Sequence, residues 1–293
     1  MAERSVIQAL SAIVCNSNLA GFLSGRIYQG EWKSVCLPGL NCYSCPGAIG
    51  ACPIGSLQSF FSGTVLRFPF YVLGWLLLLG LVFGRWICGW LCPFGALQEL
   101  TNNIAKALRI PQVTVPWLVH ERLWPVKYII FLGLFGVSLA SMELAEKLAE
   151  IEPFKTAIIL KFSRAWPFVT FALGLLFIGL FIERFYCRYL CPLGAALAIP
   201  ARIRMFDWLK RYKDCGNPCQ TCAHECMVQA IHPTGEINPN ECLNCMHCQV
   251  LYHSRVKCPV VIRQLKRRSA VGAAPGRDRD IMNHPNLKEK THD

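Results

Sequence analysis

The chain has 293 residues, of which 53% are hydrophobic and only 16% are charged. A soluble domain of this length would carry more charge, so the composition indicates membrane-spanning segments. Of the 30 Lys and Arg residues, 17 follow Glu183, and a basic region beside a membrane is typical of the cytoplasmic side. The sequence contains no helix-turn-helix, RNA-binding or zinc-finger spacing, which argues against a nucleic-acid-binding protein.

Three apolar segments are each long enough to cross the hydrocarbon layer as a helix: Phe68–Trp86, Trp124–Met142 and Trp166–Ile182. Tryptophans flank them, as is usual at a membrane interface. A fourth segment, Val6–Leu23, is interrupted by three polar residues at 16–18, so it either crosses or lies at the interface. The sequence therefore predicts an α-helical integral membrane protein with about four transmembrane helices.

The orientation follows from the basic C-terminal region. If all four segments cross and the C-terminus is inside, the N-terminus is inside too. The loop over Cys36–Cys52 then lies on the outer side or dips into the membrane from that side, whereas the loops that hold Cys88 and Cys187 face the cytoplasm. The segment Glu143–Lys161 is expected to be an outer loop, part of it an amphipathic helix.

The region Cys215–Cys258 contains eight cysteines in two runs, C-x3-C-x2-C-x3-C and C-x2-C-x2-C, completed by a final Cys-Pro. This spacing is typical of a two-cluster ferredoxin, in which the distant fourth cysteine of each run ligates the other cluster. The predicted ligands of the first [4Fe–4S] cluster are Cys215, Cys219, Cys222 and Cys258. Those of the second are Cys226, Cys242, Cys245 and Cys248.

This ferredoxin pattern has two departures. Met227 follows Cys226 where proline is usual, and nine residues rather than three separate Cys248 from Cys258. Two structural zinc sites are the alternative, but the crossed triplet-plus-one spacing favours iron–sulfur clusters.

A second cysteine motif, CxxxCP, occurs twice, in RWICGWLCPFGAL and RFYCRYLCPLGAAL. Each copy follows an apolar span, which suggests two related helical units paired about a pseudo-twofold axis. The two cysteines of each copy share one helix face. The candidate metal ligands are Cys88, Cys92, Cys187 and Cys191, and structural or merely buried thiols are the alternative.

The third cysteine group lies near the N-terminus, at Cys36, Cys42, Cys45 and Cys52. Glycines and prolines between these residues let the backbone fold closely around a cluster and prevent regular helix. The Cys-x2-Cys spacing and the Cys-Pro ending favour a cluster, whereas two disulfides on an oxidising outer face are the alternative. The isolated Cys15 is expected to serve packing.

Haem sites are not indicated. None of the seven histidines lies within the three clear spans, and His120 is the nearest, so paired ligands for a b-type haem are lacking. The sequence has no CxxCH motif for a c-type haem.

Several stretches resemble the NosR family: CGWLCPFGALQEL, HERLWPVKYIIFLGLFG, EPFKTAIILKF, ERFYCRYLCPLGAALAIPARIRMFDWLKRY and the ferredoxin block through CQVLYHSRVKCP. NapH-like proteins are more distant relatives. The likeness covers roughly Phe68–Arg268. It implies quinol-linked or otherwise membrane-bound electron transfer toward periplasmic reductases such as nitrous-oxide reductase, with two cytoplasmic [4Fe–4S] clusters on the eight ferredoxin cysteines.

The chain departs from the NosR pattern in its N-terminal region. NosR proteins carry a periplasmic domain that binds FMN covalently through a threonine, whereas here about 65 residues precede the first clear span. Ser62-Gly63-Thr64 matches the flavin-attachment motif only poorly. The CYSCPG stretch resembles the N-terminal part of some NapH-like proteins, so we expect the front thiols to supply an outer redox centre in place of the flavin.

Four regions are predicted. Residues 1–66 form a helix and a Cys-rich loop, residues 67–206 the transmembrane part, residues 207–262 a ferredoxin-like domain with two [4Fe–4S] clusters, and residues 263–293 a basic flexible tail. One or two further iron–sulfur or metal centres would occupy the other two cysteine groups. The expected location is the bacterial cytoplasmic membrane, with the ferredoxin domain in the cytoplasm.

These patterns predict an electron-transfer subunit rather than a stand-alone catalyst, passing electrons across or along the membrane. The expected partners are membrane lipid and a redox protein, which is either a periplasmic reductase or a flavin-carrying subunit; quinone and a cytoplasmic ferredoxin are candidate donors. The alternative function is a redox-sensing regulator or an assembly factor for a periplasmic reductase.

Overall fold

A computed structural model of the chain consists mainly of α-helices joined by turns and loops. It describes residues 2–18, 21, 26–37, 39–41, 45–61, 69–141, 143, 165–206, 209, 211–212, 215–216 and 219–270. Within these residues the helices are α1 Ala2–Cys15, α2 Pro53–Phe61, α3 Pro69–Phe83, α4 Trp86–Trp90, α5 Pro93–Ala107, α6 Trp117–Ala140, α7 Trp166–Phe181, α8 Phe185–Tyr189, α9 Pro192–Ala201, α10 Thr221–His224, α11 His247–His253 and α12 Pro259–Ala270.

Helix α6 is the one described helix that is both long and apolar enough to cross a membrane. It has 24 residues, and only 11% of its most apolar window is buried. A core helix of a soluble protein would bury most of such a surface, so this exposure fits contact with lipid. Helices α3 and α7 are apolar but have only 15 and 16 residues. The number of about four spans therefore stays a prediction.

Helix α1 differs from the fourth candidate span. It ends at Cys15 rather than Leu23, and its 14 residues are too few to cross the hydrocarbon layer. One face buries the polar side chains of Arg4 and Gln8, while Val6 on another face is 55% exposed. The helix packs against α4 and α5. It lies against the bundle because its polar residues find partners there.

The front cysteine loop consequently lies at the same end of the helix bundle as the CxxxCP motifs. A Cβ on Gly39 would lie 3.0 Å from Cys92 Cα and 2.9 Å from Pro93 Cδ, so the loop backbone touches the start of α5. The following helix, α2, packs against α3. The expectation that Cys36–Cys52 lies on the opposite side from Cys88 is therefore wrong, because α1 does not carry the chain across.

The internal repeat forms two units whose helices pack against each other. One unit is α3–α4–α5 and the other is α7–α8–α9. Helix α5 packs against α7, and α9 packs against α3, so the last helix of each unit contacts the first helix of the other. Cys92 and Cys191 are the N-caps of α5 and α9. The proline after each cysteine occupies the first helical position, where a missing N–H costs no hydrogen bond.

The ferredoxin region, residues 211–270, folds short helices and extended segments around its cysteines. Gly216 and Gly235 have φ of +98° and +92°. A Cβ on Gly216 would lie 2.0 Å from the Thr234 carbonyl, and one on Gly235 would lie 2.2 Å from the Cys215 carbonyl oxygen. Only glycine permits this conformation and this close backbone contact beside Cys215.

Two predicted segments fall partly or wholly outside the described residues. The expected outer loop Glu143–Lys161 is described only at Glu143. The expected tail begins at 263, but α12 continues to Ala270, so its first eight residues are helical. Residues 271–293 lie outside the described part of the chain.

We predict that Gly80→Ala separates α3 from α9. A Cβ at Gly80 would lie 2.2 Å from Pro200 Cγ, and a proline ring cannot move aside. Overpacking of this kind costs about 1–3 kcal/mol of the free energy of unfolding. The thermal unfolding midpoint of the detergent-solubilised chain should fall.

The matched control for this prediction is Gly74→Ala on the same helix, where a Cβ would meet nothing within 4 Å. Alanine should leave stability unchanged or raise it, since it favours helix over glycine. Equal midpoints for the two variants would contradict the described packing of α3 on α9.

Candidate iron–sulfur centres

The four predicted ligands of the first cluster line one pocket. It has about 430 Å³ of empty space, part of it open to solvent, and its walls include Cys215, Cys219, Cys222 and Cys258. Arg211 lies beside the thiols and is 8% exposed, yet two of its guanidinium nitrogens have no hydrogen-bond partner in the described residues. Four thiols beside a buried cation suit a [4Fe–4S] cluster, which binds through four thiolates.

The other four ferredoxin cysteines lie against the helix bundle. Cys226, Cys242 and Cys245 pack on the core that α3 and α9 contribute to, and Cys248 packs on the side nearer Ile231 and Ile237. The Cys242 thiol interacts electrostatically with the three others of its set. The structure thus places these four cysteines near one another, and their assignment to one cluster stays a prediction.

The two cysteine sets are neighbours. Cys222 Sγ lies 3.8 Å from the Cys248 carbonyl oxygen, so clusters in the two sets would lie within a short electron-transfer distance. Burial raises the pKa of Cys248 to about 12 and the pKa of Cys242 well above its ordinary value. The bare Cys242 and Cys248 thiols therefore hold their protons at neutral pH, and metal binding must displace them.

The four CxxxCP thiols meet in the interior, at the ends of the two helix units. They are Cys88, Cys92, Cys187 and Cys191, and each is 4–5% exposed. All six pairs among these thiols interact electrostatically. The structure therefore brings together four cysteines that the sequence places in two separate halves.

Two buried arginines link the repeats in a crossed arrangement. Arg85 donates from Nη2 to the Cys187 carbonyl oxygen at 3.0 Å, and Arg184 donates from Nη1 to the Cys88 carbonyl oxygen at 3.1 Å. Each arginine precedes the first cysteine of its own motif by three residues and binds the first cysteine of the other motif. The sequence analysis missed them, although R-x-x-C occurs in both repeats.

A buried carboxylate joins the ferredoxin region to the bundle. Glu241 is 4% exposed and pairs with Lys127 of α6. Its Oε2 also lies 3.3 Å from Arg85 Nη1, and its Oε1 accepts a 3.3 Å hydrogen bond from the Tyr128 hydroxyl. Removal of the Glu241 carboxylate would leave two buried cations without their counter-charge. Nothing in the spacing of these residues indicates that they meet.

Uncharged contacts complete this interface. Trp90 Nε1 donates to the Asn244 carbonyl oxygen at 3.1 Å, and Asn244 Nδ2 donates to the Phe83 carbonyl oxygen at 2.8 Å. His120 is fully buried, with Nδ1 2.5 Å from the Tyr189 hydroxyl. Because α6 begins at Trp117, His120 lies inside that helix, one turn before the predicted span that starts at Trp124.

The front cysteines are placed only in part. Cys36, Cys45 and Cys52 are buried, and Cys42 lies outside the described residues. Cys36 and Cys52 belong to the same packed core as Cys88, Cys92 and Cys191. Burial raises the pKa of Cys36 to about 12. The front thiols therefore lie beside the CxxxCP group, and a cluster on them stays a prediction.

The cysteines have no covalent partners in the described part of the chain. All sixteen cysteines described are free thiols. In the same residues, no three cysteine, histidine or carboxylate side chains are gathered as a single metal ion would require. Cys15 is buried with its sulfur 4.0 Å from Ser11 Oγ.

Two family models match the chain. One, described as NosR, matches residues 213–269, and one described as a 4Fe-4S binding domain matches residues 66–111 and 164–211. The first match contains all eight ferredoxin cysteines, and the second contains both CxxxCP motifs. No solved structure matches the chain.

Three curated proteins show the relationship directly. The regulatory protein NosR of Stutzerimonas stutzeri is 62% identical over 196 residues, covering 67% of this chain and 27% of that protein. Protein NirI of Paracoccus denitrificans is 54% identical over 222 residues, covering 75% and 33%. The putative electron transport protein YccM of Escherichia coli is 28% identical over 200 residues, covering 66% and 54%.

The helical fold, the grouped thiols and the matched models define an iron–sulfur protein of the 4Fe–4S ferredoxin type. The chain belongs to the NosR/NapH-like family, and the resemblance predicted from the sequence is confirmed. It spans about a third or less of the length of the NosR and NirI relatives that it matches.

We predict that Glu241→Gln detaches the ferredoxin region from the helix bundle. The variant leaves Lys127 and Arg85 buried without their shared counter-charge, which costs about 3–5 kcal/mol. Thermal unfolding in detergent should begin at a lower temperature, and protease should cleave the ferredoxin region sooner.

The control for Glu241→Gln is Glu225→Gln, which alters a carboxylate whose side chain is 58% exposed. An exposed ion pair contributes about 1 kcal/mol or less. Adding Lys127→Met to Glu241→Gln should restore part of the loss. Equal stability of the two single variants would show that Glu241 does not hold the regions together.

Proposed function

We propose that this chain carries electrons one at a time through two [4Fe–4S] clusters at one end of a membrane helix bundle. Cys215, Cys219, Cys222 and Cys258 would hold the first cluster. Cys226, Cys242, Cys245 and Cys248 would hold the second. The observation that carries the proposal is the division of the eight thiols into two adjacent sets, with Cys222 Sγ 3.8 Å from the Cys248 carbonyl.

The clusters would supply reversible one-electron redox chemistry, and the protein residues hold and tune them. Arg211 places a positive charge next to the first set, which favours the reduced and more negative cluster. Three cysteines of the second set pack on the core of the helix bundle, so the second cluster would pass electrons toward the bundle. The first set lines a pocket that is partly open to solvent, so the first cluster would exchange electrons with a soluble partner.

A membrane location supports electron transfer from the ferredoxin clusters toward the helix bundle. Helix α6 exposes an apolar surface long enough to cross the bilayer. The ferredoxin region and its basic helix α12 lie at one end of the bundle, the end that the basic residues would hold in the cytoplasm. We propose a multi-pass protein of the bacterial cytoplasmic membrane, with a redox partner in denitrification and quinone or a cytoplasmic ferredoxin as donor.

The position of the front loop alters the predicted path. Since Cys36 and Cys52 lie with the CxxxCP thiols, they do not provide an outer centre opposite the ferredoxin clusters. Electrons would therefore move along one end of the bundle, and a partner protein or quinone would carry them farther.

A redox-sensing regulatory role is the second candidate, because the relative from Stutzerimonas stutzeri is named a regulatory protein. The two roles differ in turnover. A carrier in native membranes has its reduced clusters reoxidised repeatedly at the rate of the respiratory reaction, whereas a sensor changes oxidation state without sustained flux. The named electron transport relative YccM favours the carrier.

We predict that Cys222→Ser removes the first cluster and leaves the second. Iron and acid-labile sulfide should each fall by about four per chain. Two adjacent reduced clusters broaden each other's EPR signals, so the dithionite-reduced variant should show one narrower signal. Electron flow through the chain should stop while membrane insertion persists.

Cys15→Ser is the control, because Cys15 is buried but belongs to none of the predicted ligand sets. It should retain the full iron content and the broadened signal. Unchanged iron in Cys222→Ser would overturn the ligand assignment. Loss of iron with electron flow intact would overturn the carrier role and favour the regulatory one.

A further inference from the structure

An exposed basic surface lies beside the first set of ferredoxin cysteines. It consists of Arg255, Lys257, Arg263, Lys266 and Arg267, all of which are exposed. We infer that this basic surface binds the acidic face of a soluble one-electron carrier protein, which exchanges electrons with the first cluster. The inference rests on the proposed function, because it names the kind of partner that the first cluster would meet.

The basic surface reaches the opening of the first cysteine pocket. Lys257 is exposed and lines that pocket together with its neighbour Cys258. The charged residues that line the pocket are Arg211 and Lys257, both positive, and no carboxylate is among the described residues of its walls. A carrier bound here would therefore bring its redox centre to the side on which the pocket is open to solvent.

Packing holds helix α12 next to these thiols. Val260 and Val261 are 2% and 4% exposed, and they pack with Cys258 in one buried core. Arg263 and Arg267 are about one turn apart, so they share one side of the helix, and both are exposed. The apolar contacts thus fix the basic side chains at a defined position beside a cluster ligand.

Helix stability does not explain this distribution of charge. From His247 to Arg267 the sequence contains five Lys and Arg residues and no Asp or Glu. Arg255 and Lys257 precede α12, where the helix dipole disfavours cations. Arg263 and Arg267 are like charges four residues apart, which repel each other. The arrangement opposes helix formation but suits a surface that attracts a negatively charged partner.

An apolar side chain lies within the basic surface. Val256, between Arg255 and Lys257, is 83% exposed. Protein interfaces combine an apolar centre with a polar, solvent-accessible rim. Val256 therefore offers a contact that a docked protein would bury, while the cations around it attract and orient that protein.

The position of α12 favours a protein partner over a lipid surface. The core of the helix bundle includes Met227, Val228 and Leu243 of the ferredoxin region but no described residue of α12. Helix α12 packs instead on the separate core around Cys258. It therefore lies on the first-cluster side of the ferredoxin region, rather than on the side that meets the bundle.

The redox step at this surface is a single electron transfer. When the carrier is the donor, its redox centre is oxidised by one electron and the first cluster is reduced by one, with no bond formed or broken. Opposite charges on the two proteins raise the rate at which they meet and orient them for the transfer.

The test measures how fast a photoreduced plant-type [2Fe–2S] ferredoxin, an acidic protein, reduces the full chain purified without oxygen in nanodiscs of neutral lipid. Stopped-flow absorbance gives the rate. The wild-type rate should fall about tenfold or more between low and high salt, because salt screens the attraction. A rate that does not depend on salt would overturn the inference, whether or not any variant folds.

Charge reversal locates the surface. Arg263→Glu combined with Arg267→Glu should lower the low-salt rate about tenfold, while iron and sulfide stay unchanged, because neither arginine adjoins a predicted ligand. The matched control, Arg263→Lys combined with Arg267→Lys, keeps the charge and should keep the rate. Equal rates for the two double variants would contradict docking at this surface.

Anionic lipid is the competing occupant of the basic surface. The rate of the wild-type chain is divided by that of the double glutamate variant, first in neutral nanodiscs and then in nanodiscs with phosphatidylglycerol. Repulsion of the carrier by the lipid cancels in this ratio, so the ratio should stay the same. A ratio that falls to one in anionic discs would show that lipid headgroups cover the surface, and would overturn the inference.

Photoreduced deazaflavin, a neutral small molecule, separates this inference from the proposed function. It should reduce the clusters of the wild-type chain and of both double variants at one rate in any salt. If it reduces them while the ferredoxin rate ignores salt and charge, the docking surface alone fails. If neither reductant reduces any cluster, the proposed function fails.

Discussion

The structure depends on buried ion pairs that hold the first helix and the ferredoxin region against one end of the helix bundle. Glu99 connects Arg4 of the first helix to Arg184 of the second repeat, and Glu241 connects the ferredoxin region to Lys127 and Arg85. These charges are desolvated, so each one needs its partners in place. The pairs fix where the cysteine groups lie relative to each other.

All three cysteine groups consequently lie at one end of the bundle. The first helix packs there instead of crossing, and the front loop contacts the start of the helix that follows Cys92. The ferredoxin thiols pack on the same core from the other side. The ferredoxin set that contains Cys242 and Cys245 is therefore the one that shares a packed core with the other two cysteine groups.

Local patterns can be interpreted from the sequence, whereas long-range partners cannot. The spacing between Cys215 and Cys258 indicates which cysteines group together, because turns of a few residues determine that geometry. The apolar run at Val6–Leu23 suggested a span, but Arg4 and Gln8 are buried against residues some ninety and more positions away. Likewise, Arg85 finds Cys187 and Glu241 through packing of separate helices, which no single stretch of sequence reveals.

The most direct test of the account is the Mössbauer spectrum of the wild-type chain grown with ⁵⁷Fe and purified without oxygen, together with its zinc and acid-labile sulfide content. The account predicts equal amounts of iron and sulfide, about eight or more of each per chain, with all iron in [4Fe–4S] clusters. A zinc-loaded protein without sulfide would contradict it.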